Sequence, residues 1–212
     1  YSINVFDASE VTGGGMAVTL LKFLTGKSAV IEVQGEIFRK SGNRQNLKSW
    51  LLQRIGRFAM KHAVRIRVIS HVIFNQVQEQ GIPESKIRLV SLRVDLNLFD
   101  PNLSIYEIYK SGDKVGIIKI GYIGRLVGGK GLEDFLEAIP NLKSQISNFR
   151  VLIFGTGPLE ARLKKIAEDM KILDIIEWRG FVPYTKVPEA LSQIDIFVYP
   201  SWHEGFGRSI ME

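Results

Sequence analysis

Three short stretches in the second half of the chain carry the residue types best suited to chemistry. They are GRLVGGKG (124–131), GTGP (155–158) and SWHEGFGRSIME (201–212). Arg125 can grip a pyrophosphate with its planar fork, and Lys130 can neutralise one as a point charge. Glu204 and Glu212 each offer paired acceptors to vicinal hydroxyls. Gly124, Gly155, Gly157, Gly205 and Gly207 let a ligand approach the main chain closely. Phosphates and hydroxyls on one ligand are what this set would hold.

Each stretch sits where an apolar run ends and a helical pattern begins. The runs are GIIKIGYI, RVLIF and DIFVYP. In an open parallel α/β sheet such turns lie together at the carboxyl edge of the strands. Strands are expected over 116–123, 150–154, 175–178 and 195–199, alternating with helices, which implies a parallel sheet. A helix starting near Phe206 would aim free N–H groups at an anion. The first half repeats the pattern. Strands are expected over 2–8, 29–36, 66–70 and 86–91, with a glycine-led helix stopping near Gly26 and one over 46–62. A third, over 71–80, would be capped by Ser70. The 46–62 helix places Trp50, Leu51, Ile55, Phe58 and Ala59 on one side, spaced as a core face. From 94 to 114 periodicity fades while Asp, Asn, Pro and Gly gather, as in a link. The expected fold is α/β, with two Rossmann-like parallel-sheet domains over 1–93 and 115–212, both incomplete, joined by 94–114.

The charge is uneven along the 212 residues. Of 28 Lys and Arg, nine fall between Phe38 and Arg67 with no Asp or Glu among them, leaving 19 basic against 22 acidic residues elsewhere. That block suits an anionic membrane surface or a lipid-linked acceptor as well as a solvated face. Nucleic acid fits it less well, because Trp50 and Phe58 sit at core-like spacing. There are no cysteines, so disulfides and thiolate metal sites are excluded. No apolar run approaches the roughly 20 residues a membrane span needs. His62, His71 and His203 lack metal-ligand spacing.

Two motifs point elsewhere when read alone. GRLVGGKG falls one residue short of a P-loop, since Gly131 stands where a hydroxyl should hold Mg²⁺. GTGPLEA imitates a dinucleotide fingerprint, with Glu177 twenty residues beyond Gly157 as a candidate ribose acid. An NAD(P)-dependent oxidoreductase is therefore an alternative.

The segment from Lys86 to Glu212 resembles the donor half of the family-four retaining glycosyltransferases, which have the GT-B architecture. The resemblance rests on VDLNLF, YIGRLVGGKGLEDFLEAI, FGTGPLE, WRGFVP and PSWHEGFGRSIME, the last with two glutamates separated by seven residues. It implies a nucleoside-diphosphate sugar as substrate, no cofactor and no metal. In the roles it implies, Arg125 and Lys130 bind the donor diphosphate and Glu204 contacts the transferred sugar. Glu212 binds the ribose hydroxyls, the backbone from Phe181 through Val182 to Pro183 the base, and the amides of Phe206 and Gly207 a phosphate or the sugar. Retention is attributed in that family to attack on the face from which the leaving group departs, without a protein nucleophile. The first half resembles the later part of the family's acceptor domain. It carries Gln34 where a His is frequent, and Leu92-Arg93 where Asn-Gly is usual. A fragment of a longer protein is expected, with a degenerate nucleotide-binding module as a further alternative. The implied acceptor is lipid-linked or a saccharide, and the implied location is the cytoplasm or the cytoplasmic face of a membrane.

Overall fold

The computed structural model describes residues 3–35, 47–99, 117–202 and 204–212. The expected link lies outside these from residue 100 onward, as do Arg39, Lys40, Arg44 and His203. By their contacts the residues form two compact units, Tyr1–Arg93 with Glu204–Gly207, and Val94–His203 with Arg208–Glu212.

The first unit is built on four parallel strands, β1 (Val5–Ala8), β2 (Ser28–Val33), β3 (Arg65–Val68) and β4 (Ile87–Leu89), side by side in chain order. Helices α1 (Gly13–Thr25), α2 (Leu47–His62) and α3 (His71–Glu79) make the crossovers that parallel pairing requires. Alternation along β2 sends Ala29, Ile31 and Val33 into the core, where they meet Val18, Ile66, Val68 and Ile73. The carboxylate of Glu10 accepts from Thr12 N (3.0 Å), Thr12 Oγ1 (2.6 Å) and Gly14 N, satisfying donors at the start of α1. The Thr12 hydroxyl is the main reason that this carboxyl is held below its ordinary pKa. Gly26 ends the helix in the left-handed region, its N–H bonded to the Lys22 carbonyl. Ser70 caps α3, as its position implied.

Helix α2 buries only part of its expected face. Ala59 is buried, beside Gly56 and Met60, and Ile55 is half-buried, whereas Trp50, Leu51 and Phe58 are exposed. The small residues decide this, because Ala59 sits where Gly15 of α1 leaves room for it. Close approach of two backbones turns the narrow side of α2 inward and leaves the large apolar side chains on the surface.

The second unit holds β5 (Ile118–Ile123), β6 (Phe149–Phe154), β7 (Ile176–Gly180) and β8 (Ile196–Phe197), all parallel and ordered β7-β6-β5-β8. Helices α4 (Leu132–Gln145), α5 (Glu160–Asp169) and α6 (Val187–Leu191) connect them, and α7 (Arg208–Met211) follows β8. Both faces of the sheet are covered. Along β6, Val151 and Ile153 face a core shared with Leu136, Ile139 and Leu163, while Leu152 and Phe154 face another with Val187 and Ala190. Burial on both faces is why these strands read as continuous apolar runs without alternation.

Candidate functional site

The site is set by where β5, β6 and β7 end. The registers Ile123↔Phe154 and Phe154↔Gly180 bring three strand ends level, so the turns after them stack edge to edge. Gly124 N–H donates to the Phe154 carbonyl (3.0 Å), and Gly155 N–H donates to that of Gly180 (2.6 Å). Gly155 has φ 133°, and a Cβ there would collide with the Gly124 carbonyl oxygen. Only glycine fits. Gly157 presses on the Leu126 carbonyl in the same way. The GTGP turn is thus a backbone-to-backbone joint between adjacent loops.

Above this joint opens a pocket of about 380 Å³ lined by Ile123, Gly124, Arg125, Phe154, Gly155, Thr156, Phe181 and Val182. Five of the residues singled out in the sequence (Gly124, Arg125, Gly155, Phe181 and Val182) therefore share one cavity. Ile123, Phe154 and Thr156 join them unannounced, although each ends or follows a strand. Phe181 is 72% exposed, a ring without cover.

Lys130 lies on the same loop as Arg125, with its ammonium 5.6 Å from the centre of the Tyr199 ring. The chain after β8 fixes this loop. Trp202 N–H and the Ser201 hydroxyl donate to the Gly129 carbonyl (3.0 and 3.4 Å), and Trp202 Nε1 donates to Asp134 Oδ2 (2.6 Å). Gly131, at φ 65°, leaves no space for a Cβ beside the Pro200 carbonyl. That contact explains the missing P-loop hydroxyl, because no side chain fits at Gly131.

Glu212 closes a third cluster. Its side chain is 6% exposed and its Oε1 stands 3.0 Å from Arg208 Nε. Among the described residues that oxygen has the ion pair but no well-directed hydrogen bond. Burial pushes the carboxyl above the ordinary glutamate range, with Arg208 and the Tyr184 hydroxyl pulling the other way. The Arg208 guanidinium also covers the Tyr184 ring at 4.5 Å. Arg208 and Tyr184 are participants that sequence reasoning left without a role.

Glu204, Gly205, Phe206 and Gly207 group with the first unit. Phe206 packs against that unit's core, and Gly205 lies so close to the Gln34 carbonyl that a Cβ would clash. Gln34 follows β2, where its Nε2 donates to Glu32 Oε2 (2.7 Å). Glu32 is paired with Arg67, whose hydrogen bond is the main cause holding its carboxyl below the usual range. The helix expected from Phe206 begins instead at Arg208 and runs four residues. Gly207 at φ 71° lies outside helical geometry, so the helix starts only after it.

The acid of the dinucleotide alternative is displaced. Glu177 is the second residue of β7, three residues before the level of the pocket, and it bonds Arg179 Nη2 at 2.5 Å. A ribose acid belongs at the strand's end, and that position is held by Gly180.

Two open parallel α/β units, one with a pocket at its strand ends, define the GT-B class of fold. Residues 108–212 match the family described as Glycosyl transferases group 1, and over that half the chain belongs to it. Curated relatives agree. A phosphatidylinositol N-acetylglucosaminyltransferase component of Arabidopsis thaliana is 32% identical over 138 residues, 65% of this chain and 29% of that protein. The amylovoran biosynthesis glycosyltransferase AmsK of Erwinia amylovora is 30% identical over 133 residues, 63% of this chain and 31% of that protein. The matched part thus spans about a third of such relatives. Among solved structures, HepE of Anabaena in complex with UDP and glucose superposes with TM-score 0.77 at 15% identity, over 98% of this chain and 55% of that one. Sucrose-phosphate synthase of Thermosynechococcus elongatus gives 0.74 at 16%, over 98% and 52%.

Proposed function

We propose that the chain is the donor-handling part of a glycosyltransferase that takes a sugar from a nucleoside diphosphate and transfers it with retention. The observation that carries this reading is the pocket over the ends of β5, β6 and β7, which offers main chain, one guanidinium and an uncovered ring. Such a lining suits a nucleotide better than it suits proton chemistry. In the proposed roles Arg125 and Lys130 hold the diphosphate, stabilising the charge that builds on the leaving group by fixed electrostatics instead of a metal. Phe181 and Val182 take the base. Glu212, its carboxylate buried beside Arg208, accepts from the ribose, and Glu204 contacts the transferred sugar. The acceptor is proposed to be lipid-linked or a saccharide, reached by peripheral contact of the basic block with an anionic membrane at its cytoplasmic face.

Calorimetric titration of UDP, GDP, ADP and NADH, each with and without EDTA, tests the reading. One nucleoside diphosphate is expected to bind equally well in chelator. Lys130→Ala should weaken it by about 1–3 kcal/mol, the range of a charge-assisted bond. An unchanged dissociation constant removes Lys130 from the site. Binding of NADH without any nucleoside diphosphate overturns the proposal in favour of an oxidoreductase. Diphosphate binding by a full-length protein that neither transfers nor hydrolyses would favour a degenerate module.

A further inference from the structure

Lys130 stands among glycines. Gly128, Gly129 and Gly131 surround it, and Gly129 and Gly131 have φ of 83° and 65°. A Cβ added at Gly128 or Gly129 would meet nothing within 4 Å. The earlier half of the loop is differently placed. Leu126 N–H donates to the Thr156 carbonyl (3.0 Å), Leu159 N–H to that of Leu126 (3.1 Å), and the Tyr122 hydroxyl to that of Arg125 (3.0 Å). Arg125 is therefore seated on the GTGP turn, whereas glycine lets the backbone around Lys130 take many conformations. A cation on such a backbone binds an anion weakly, because ordering the loop costs free energy at the moment of binding.

Four consecutive residues after β8 restrict that backbone. Tyr199 sets its ring 5.6 Å from the Lys130 ammonium, and the Pro200 carbonyl abuts Gly131. The Ser201 hydroxyl and the Trp202 N–H both donate to the Gly129 carbonyl. Trp202 reaches both sides of Lys130. Its main-chain N–H holds Gly129, just before the lysine, and its indole Nε1–H donates to Asp134 Oδ2 (2.6 Å), in the first turn of α4 just after it. The ring serves no core, being 64% exposed and outside both apolar clusters of the second unit. Tryptophan stabilises a fold chiefly by burial. An exposed indole whose single donor goes to a carboxylate across a cation-bearing loop orders that loop more than the fold.

We infer that Trp202 and Asp134 form a staple across Lys130 that presets the loop for a diphosphate, which makes both of them positioning residues. Their role rests on the donor reading of the pocket. It is exerted through Lys130 and needs no contact with the nucleotide itself.

Titration of UDP, GDP and ADP by calorimetry, and of uridine, guanosine and adenosine by ligand-observed NMR, tests the staple. Trp202→Phe keeps a ring and loses the donor, while Asp134→Leu loses the acceptor. Each should weaken the diphosphate that the parent chain binds by about tenfold, the factor for one ordinary hydrogen bond, and leave the matching nucleoside unaffected. Asp134→Asn keeps an acceptor for the indole and should recover most of the loss. In a Lys130→Ala background Trp202→Phe should have no further effect, because the staple acts through that ammonium. Circular dichroism checks folding, and Asp134→Leu alters an exposed position, so it carries the comparison if Trp202→Phe misfolds. Undiminished diphosphate binding by the folded variants overturns the staple and leaves the donor reading standing. So does a loss shared equally by the nucleoside, or repeated in full without Lys130, since either would make the bond a support of the fold. If the parent chain binds none of the three diphosphates, the donor reading falls and the staple with it.

Discussion

Gly155 is the residue on which the pocket floor turns. Its φ of 133° and its contact with the Gly124 carbonyl exclude any side chain. Gly155→Ala is expected to destabilise the fold by about 1–3 kcal/mol, the cost of overpacking, and to lower the denaturant midpoint accordingly. Gly128→Ala, with open space around it, should leave the midpoint unchanged. Glu212 gives a second prediction at this scale. Its carboxyl is raised above the ordinary value of 4.5, chiefly by burial. A raised pKa means that its contribution is fully present below 4.5 and is lost as pH rises through the folded value. Glu212→Gln should therefore match the parent chain in stability below pH 4.5 and exceed it increasingly above. Denaturant midpoints measured across that range check the sign, and a gain confined to acid would refute it.

At the scale of elements, α2 shows how small residues overrule a hydrophobic stripe. Spacing marks Trp50, Leu51, Ile55, Phe58 and Ala59 as a core face, but of these only Ala59, which meets Gly15 of α1, is buried, together with Gly56 and Met60. Ala59→Leu should cost about 1–3 kcal/mol, while Phe58→Ser should change chemical stability little. The reverse order in urea would restore the spacing-based face. The three turns behave alike in principle. Gly155 and Gly157, which read as ligand contacts in the sequence, are first conditions for packing one loop on another, and the pocket floor is made by those loops.

At the scale of the molecule, two sheets with separate cores divide the residues named in the sequence. Arg125, Lys130, Phe181 and Glu212 fall in one unit, Glu204 through Gly207 in the other. Diphosphate binding is thus proposed for the second unit, and membrane docking for the first. Transfer itself is proposed for the longer protein, since relatives of this family are about three times the matched length.

The periodicity and the glycine punctuation were enough to determine two parallel α/β units, and the GRLVGGKG, GTGP and EGFGRSIME stretches to determine the family. The succession of strands and helices along the chain follows from local pattern, because a strand, a tight turn and a helix are each specified by neighbours in the chain, whereas the order β7-β6-β5-β8 within the second sheet does not. Other features were legible only in three dimensions. The register of β6 against β7 put Glu177 short of the pocket, the φ of Gly207 delayed the last helix, and the fit of Ala59 to Gly15 exposed Trp50 and Phe58. Each of these depends on how near one backbone comes to another, a distance between residues remote in sequence that no local pattern encodes.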